Sequence, residues 1–324
     1  MQDIGVYKEA IDRALAEQNL PNSPERLYAP IDYILSLGGK RLRPVLTLMS
    51  CDCFQGAYHK AIPAALAVEL FHNFSLIHDD IMDQAPLRRG HQTVHHKWDL
   101  NTGILSGDAL LILAYRYFES YPPEVFSALS KLFSQTAIEV CEGQQYDIDF
   151  EQLQEVSKDQ YLKMINYKTA VLVGAAMKMG AIVAQVDQTQ QDLIYEFGRS
   201  LGVAFQLQDD YLDAFGDPKV FGKQVGGDII SGKKTYLYIS ALEKANAPQR
   251  TSLLTLYGDE AIQIEEKVSQ VKALFEATGA TQAIVEAIKG HTQHAFFQLE
   301  QADLSEQAKA HLADFGHGLM KRNF

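Results

Sequence analysis

Apolar residues recur at intervals of three and four along most of this chain, and that spacing constrains its fold more than any other feature. Across residues 64–77, Leu66, Leu70, Phe74 and Ile77 fall on one helical face, whereas strict alternation over six or more residues is scarce. The expected fold class is therefore all-α. Breaks rich in Gly, Pro or polar residues fall at 37–44, 84–90, 121–123 and 215–232, and none has the length or composition of a domain linker. One domain over residues 1–324 is the expectation, because a single large helical fold can fill a chain of this length.

Two segments share a pattern. FSLIHDDIMD places Asp79, Asp80 and Asp83 after an apolar helical run, and FQLQDDYLD repeats this with Asp209, Asp210 and Asp213. On a helix, positions i, i+1 and i+4 bring three carboxylates to one edge. Like charges at that spacing repel unless water or a cation neutralises them, and apolar flanks make stranded carboxylates costly. Each cluster is thus either solvated or metal-holding. Oxygen ligands in small number, without His or Cys at matching spacing, favour magnesium, which keeps several waters and is completed by substrate phosphates. His91, His95 and His96 lie in a polar stretch without a third spaced ligand, which argues against zinc there. Asp108, in Ser106-Gly107-Asp108, reads as a helix-start residue.

Basic residues flank the first cluster: Lys40, Arg41 and Arg43 in GGKRLRP before it, and Arg88 and Arg89 in RRG after it. Arginine forks match phosphate oxygens and lysine adds a point charge, so these groups can clamp a diphosphate. Lys168, and Lys223, Lys233 and Lys234 after the second cluster, extend the same logic to a leaving diphosphate. Gln144, Asp147 and Gln206 are polar residues in helical, partly apolar surroundings, suited equally to facing a cation and to bonding between helices.

Composition excludes several classes. With 29 Lys and Arg against 41 Asp and Glu the net charge is −12, which disfavours nucleic-acid binding. Cys51, Cys53 and Cys141 are too few for a disulfide framework and lack zinc spacing, so a reduced, cytoplasmic protein is expected. Charged residues interrupt the N-terminal stretch, which argues against a signal peptide. Apolar runs stop at Glu69 and Lys178, short of the roughly 20 residues a bilayer span needs. No integral membrane association is expected.

GGKRLRP, LIHDDIMD with RRG, EGQQYD, YKTA, FQLQDDYLD, and FGKQVGGD with KKT, in this order from about Gly38 to Thr235, resemble the trans-polyprenyl diphosphate synthases. The resemblance implies helices packed antiparallel around a deep central cavity, in a homodimer, and condensation of isopentenyl diphosphate with allylic diphosphates. It implies magnesium, three ions, held with the allylic diphosphate by Asp79, Asp80, Asp83, Asp209 and Asp213, with Asp210 in support. By the same resemblance Arg88, Lys168, Lys223 and Lys233 contact that diphosphate. Lys40, Arg43, His72 and Arg89 bind isopentenyl diphosphate, and Thr169, Gln206, Gln144 and Asp147 line the developing cation.

Product length, again by resemblance, is set by residues one to three turns before Asp79: Phe74, Ser75, Phe71 and Val68. An aromatic five residues before the first Asp goes with short products, here farnesyl or geranylgeranyl diphosphate with the latter favoured. Helical geometry places Ser75, Phe71 and Val68 nearer the Asp79 stripe than Phe74, which leaves Phe71 as an alternative floor. A terpene cyclase is the competing enzyme, but its second metal motif is typically mixed and it needs no second diphosphate site. A non-catalytic partner subunit typically lacks one aspartate motif, and both are present here.

Overall fold

A computed structural model describes residues 1–217, 225–258 and 262–321, and the description that follows concerns these. The chain forms two compact units: Met1–Gln135 with Ala175–Tyr195 and Asp303–Ala308, and Thr136–Gly174 with Glu196–Ala302 and Lys309–Phe324. The all-α expectation holds, since helices dominate both.

The first unit contains α1 (Ile4–Ala16), α2 (Glu25–Ser36), α3 (Leu42–Cys53), α4 (Ile62–Met82), the short α5 (Val94–Lys97) and α6 (Leu100–Arg116); α7 (Pro123–Gln152) starts there. Helix α4 packs against α1, α2, α3 and α6. It can do so because Ala64, Ala65, Ala67 and Val68 let neighbours approach while Leu66, Leu70, Phe71 and Ile77 fill the space between them. Burial on several sides explains why its apolar residues exceed a single stripe. Helix α6 starts at Leu100, where the Asp99 carboxylate accepts from the Thr102 amide at 2.8 Å. Asp108 therefore sits mid-helix, which corrects its reading as a helix start; Gly103 and Gly107 are buried helical residues, not breaks.

The sequence reading missed a two-stranded antiparallel hairpin, β1 (Leu87–Arg88) and β2 (His91–Gln92). Strands of two residues are too short to display alternation. The hairpin turns through Arg89 and Gly90, both at positive φ (54° and 79°), the backbone that a two-residue type I′ turn requires. A second correction concerns α4. With its preceding turn, the segment Tyr58–Met82 is long and apolar enough to cross a bilayer, because the helix runs straight through Glu69 instead of stopping there. The most apolar stretch of this segment is 61% buried in the protein, and the Glu69 charge is met by Arg41.

In the second unit α8 (Lys158–Ile165) opens on a Ser157–Gln160 capping box and passes through a π-helical turn, Asn166–Ala170, into α9 (Val171–Val183), whose residues from Ala175 on belong to the first unit. Then follow α10 (Gln188–Phe215), the short α11 (Gly227–Ile230), α12 (Tyr236–Lys244), α13 (Ala247–Gly258), α14 (Ile264–Ala277), α15 (Ala280–Gln301) and α16 (Glu306–Met320). Leu237 and Ile239 of α12 share a core with Leu207, Val271, Phe275 and Ile284, which anchors the segment before α12 beside α8 and α10.

Candidate active site

In the first unit the GGKRLRP segment is a tight turn leading into α3. Gly38 and Gly39 adopt φ of 71° and 142°, and a Cβ at Gly39 would lie 3.0 Å from the Arg89 guanidinium, which donates to the Gly38 carbonyl. The double glycine thus seats Arg89. Arg41, itself at φ 50°, turns inward and donates to Glu69 at 2.5 Å, to the Leu35 carbonyl at 2.7 Å and to Asp12 at 3.3 Å. Of the three basic side chains in this segment, Arg41 is therefore a structural anchor.

Arg43 donates to His72 Nε2 at 3.2 Å, which puts the imidazole proton on Nδ1. Burial first, then Arg43, Arg89, Arg88 and Arg41 around it, hold the His72 pKa well below 6.5, so the ring stays neutral. Burial also lowers the Arg43 pKa, and the Arg43 Nε is buried with no hydrogen-bond partner among the described residues. A desolvated cluster of cations of this kind is suited to an anion.

The three carboxylates that end α4 differ in burial and in partners. Asp79 is half-buried and Asp83 is exposed at the C-cap, but Asp80 is 2% exposed and is gripped by Arg88, whose Nε lies 3.0 Å from Oδ1. The hairpin makes this pair possible by folding Arg88 back over α4. Burial raises the Asp80 pKa while the Arg88 hydrogen bond opposes it. Toward the middle of α4, Val68 and Phe71 are buried and Phe74 and Ser75 half-buried. Phe71 touches Phe74 (centroids 5.5 Å) and Phe133 (5.2 Å), and Phe133 is in turn edge-on to Tyr115 and Phe118. Phe74 packs against His78 at 4.8 Å. The Phe133 contribution escaped the sequence reading because no local pattern links α7 to α4.

In the second unit a cavity of about 290 Å³ is lined by Asp147, Lys168, Thr169, Gln206, Asp210 and Lys233, among others. Six of the sequence-predicted residues are thus brought together. Lys168 pairs with Asp147 at 2.5 Å, and Thr169 donates to Gln206 at 3.4 Å. The Gln206 amide reaches Asp210 at 3.3 Å, and Tyr161 also donates to Asp210. Gln144 is buried with its carbonyl oxygen unpartnered among the described residues. Asp209 and Asp213 of α10 do not line this cavity; Asp213 accepts from the Asp228 amide at 2.9 Å. Lys234 also lines the cavity and caps the end of α7 through the Phe150 and Glu151 carbonyls at 2.9 and 3.2 Å. Lys223 lies outside the described residues.

Tyr161 and Asp228 also line the cavity and were missed. Asp228 was visible within FGKQVGGD, whereas nothing local distinguishes Tyr161. Burial, then Asp228, pushes the Asp210 carboxyl well above its usual range, and Tyr161 keeps its proton and donates. A cation would relieve this cost, and the donors are oxygens only, so the residues fit a hard divalent ion. Among the described residues, no three His, Cys, Asp or Glu side chains converge as a ready metal cage.

The sequence profile of the polyprenyl synthetase family matches residues 24–277. The chain is 36% identical over 312 residues to a short chain isoprenyl diphosphate synthase of Methanothermobacter thermautotrophicus, covering 95% of each chain. To a geranylgeranyl pyrophosphate synthase of Geoglobus acetivorans it is 37% identical over 321 residues, 98% of this chain and 96% of the other. Among solved structures, a geranylgeranyl pyrophosphate synthase superposes with a TM-score of 0.96 at 50% identity over all of both chains. A geranylgeranyl pyrophosphate synthetase from Pyrococcus horikoshii gives 0.91 at 33% identity, over 99% of this chain and 98% of the other.

Proposed function

The chain belongs to the polyprenyl synthetase family and is a prenyltransferase, and from that premise we propose that it condenses isopentenyl diphosphate head to tail with dimethylallyl, geranyl or farnesyl diphosphate. The product we favour is geranylgeranyl diphosphate, with farnesyl diphosphate second. The names of the similar proteins support this, as does the half-buried Phe74 above the buried Phe71.

The observation that carries the reading is the cluster around His72. Arg43 hydrogen-bonds a neutral, half-buried imidazole whose charging Arg89 also opposes, while Glu69 in the same region is already taken by Arg41. This leaves an excess of positive charge for a diphosphate bound without metal, Lys40 joining Arg43 and Arg89. A cyclase has no use for such a site.

Magnesium is the cofactor we assign to Asp79, Asp83, Asp209 and Asp213, with Asp80 and Asp210 in support and three ions as the expected number. When bound it supplies charge neutralisation to the departing diphosphate. The chain's own residues do the rest. Arg88, Lys168 and Lys233 hold the allylic diphosphate, which requires Arg88 to exchange Asp80 and Lys168 to exchange Asp147 for phosphate oxygens. Thr169, Gln206, Gln144 and Asp147 present oxygens where positive charge develops, fixed in place before reaction.

We further infer a homodimer, supported by the exposed apolar side chains of α6, and no membrane span, supported by the burial of α4. A cytoplasmic setting is supported by Cys51 and Cys53, buried thiols that burial pushes up to about 12.

The test is incubation with labelled isopentenyl diphosphate, magnesium and each allylic primer, followed by chromatography of the dephosphorylated products. A discrete prenyl alcohol is expected, and Asp79→Ala or Asp209→Ala should each lower turnover by orders of magnitude without loss of helicity. A cyclic hydrocarbon from the allylic substrate alone would replace this reading with a cyclase. No product from a folded protein would replace it with a non-catalytic partner subunit.

A further inference from the structure

Lys168 and Thr169 are carried by the π-helical turn Asn166–Ala170. A π turn closes i→i+5 hydrogen bonds and holds one residue more than an α turn. Since each helical residue rotates by about 100°, losing that extra residue would swing Lys168 and Thr169 by about the same angle relative to α9. The sequence Asn-Tyr-Lys-Thr-Ala contains neither Pro nor Gly to account for the insertion.

Its neighbours do account for it. A Cβ on Gly143 of α7 would collide with the Lys168 amide nitrogen and lie 2.7 Å from Lys168 Cα. A Cβ on Gly202 of α10 would lie 2.8 Å from Ala170 Cα. The turn is thus met at backbone level by two other helices. Its first residue is tied as well: Arg199 Nη1 donates to Asn166 Oδ1 at 2.9 Å, while Glu196 receives the Arg199 Nε and Nη2 at 3.0 and 2.6 Å. The Glu196 fork fixes the guanidinium, so the bond to Asn166 has a defined direction.

We propose that Asn166 and Arg199 are positioning residues for prenyl transfer: their hydrogen bond locks the π turn in register, and that register aims Lys168 and Thr169 into the cavity with Gln206 and Asp210. Neither Asn166 nor Arg199 lines that cavity, so both act through the turn. The inference rests on the prenyl-transfer reading above.

The test compares the full-length protein with Asn166→Leu, Arg199→Met, the double variant and Asn166→Asp, which keeps the oxygen that accepts from Arg199. Steady-state turnover, KM for isopentenyl diphosphate and melting temperature are measured for each. Each single substitution should lower kcat about ten- to hundredfold, as small misplacements of reacting groups do, with KM unchanged. The double variant should be no slower than the slower single, because each single already removes the bond between Asn166 and Arg199. Asn166→Asp should restore kcat.

Wild-type kcat in a single variant, losses that multiply in the double, or an Asn166→Asp as slow as Asn166→Leu would each overturn the proposal. The two ends of the bond are separate substitutions, so a fold lost at one leaves the other to decide. An inactive wild type would overturn the prenyl-transfer reading itself, an outcome distinct from an active wild type with unaffected variants.

Discussion

Glu69 lies in the middle of α4, 2% exposed, and is tolerable there because Arg41 reaches it from the start of α3. Removing one member of such a pair strands a buried charge, which typically costs about 3–5 kcal/mol, whereas replacing both can be nearly neutral. Arg41→Met should therefore lower the melting temperature markedly, and Arg41→Met with Glu69→Leu should recover most of the loss; equal melting temperatures for wild type and Arg41→Met would show the pair to be idle. His72 allows a second prediction. Its folded pKa lies below 6.5, so between those values the unfolded chain binds a proton that the folded chain refuses. Its contribution to stability is complete above the unfolded value and is lost as the pH falls, by up to about 1.4 kcal/mol per pH unit for one proton. His72→Gln should flatten the fall in urea midpoint between about pH 6.5 and 5 relative to wild type; parallel curves would exclude His72 from the acid response. The separation of Arg41 from Lys40 and Arg43 could not be read from GGKRLRP. It depends on a left-handed residue that turns one side chain of three inward.

Within single elements, the sequence was most legible where one helix face carries the information. Apolar periodicity located α4, and repulsion among adjacent carboxylates marked its C-terminal end as a candidate site. Contacts that cross between elements were not legible. Asp80 is gripped by Arg88, which requires the hairpin turn at Arg89 and Gly90, and Phe71 is backed by Phe133 from α7. That backing bears on product length. A floor made of Phe71 alone would open when Phe71 is truncated, but a floor propped from behind should also yield when the prop is removed. Phe71→Ala and Phe133→Ala should both shift the chromatographed products toward longer chains, and Phe74→Ala, less buried and packed on His78, should shift them less. Unchanged products from the Phe71 and Phe133 variants would place the wall elsewhere.

At the scale of the whole molecule, helical periodicity sufficed for the fold class. The division into two compact units left no trace in composition, because no linker joins them and the chain enters each unit more than once. The periodicity also fails where a helix is apolar on the side its own unit does not use. Helix α6 buries Thr102, Ser106, Leu110 and Ala114, yet Ile104, Leu105 and Ile112 are 39%, 59% and 60% exposed. These three recur at i, i+1 and i+8 and form part of one outer helical stripe. Apolar area of this kind on a chain carrying −12 charge is suited to burial against a second copy more than to water. A two-fold partner would bring the stripe against itself, as isologous interfaces do. Light scattering of the wild type should then give twice the 36.2 kDa chain mass, and Leu105→Glu with Ile112→Lys should give a folded 36.2 kDa species. A wild type of 36.2 kDa would refute the dimer, and a double variant that stays at twice that mass would move the interface away from α6.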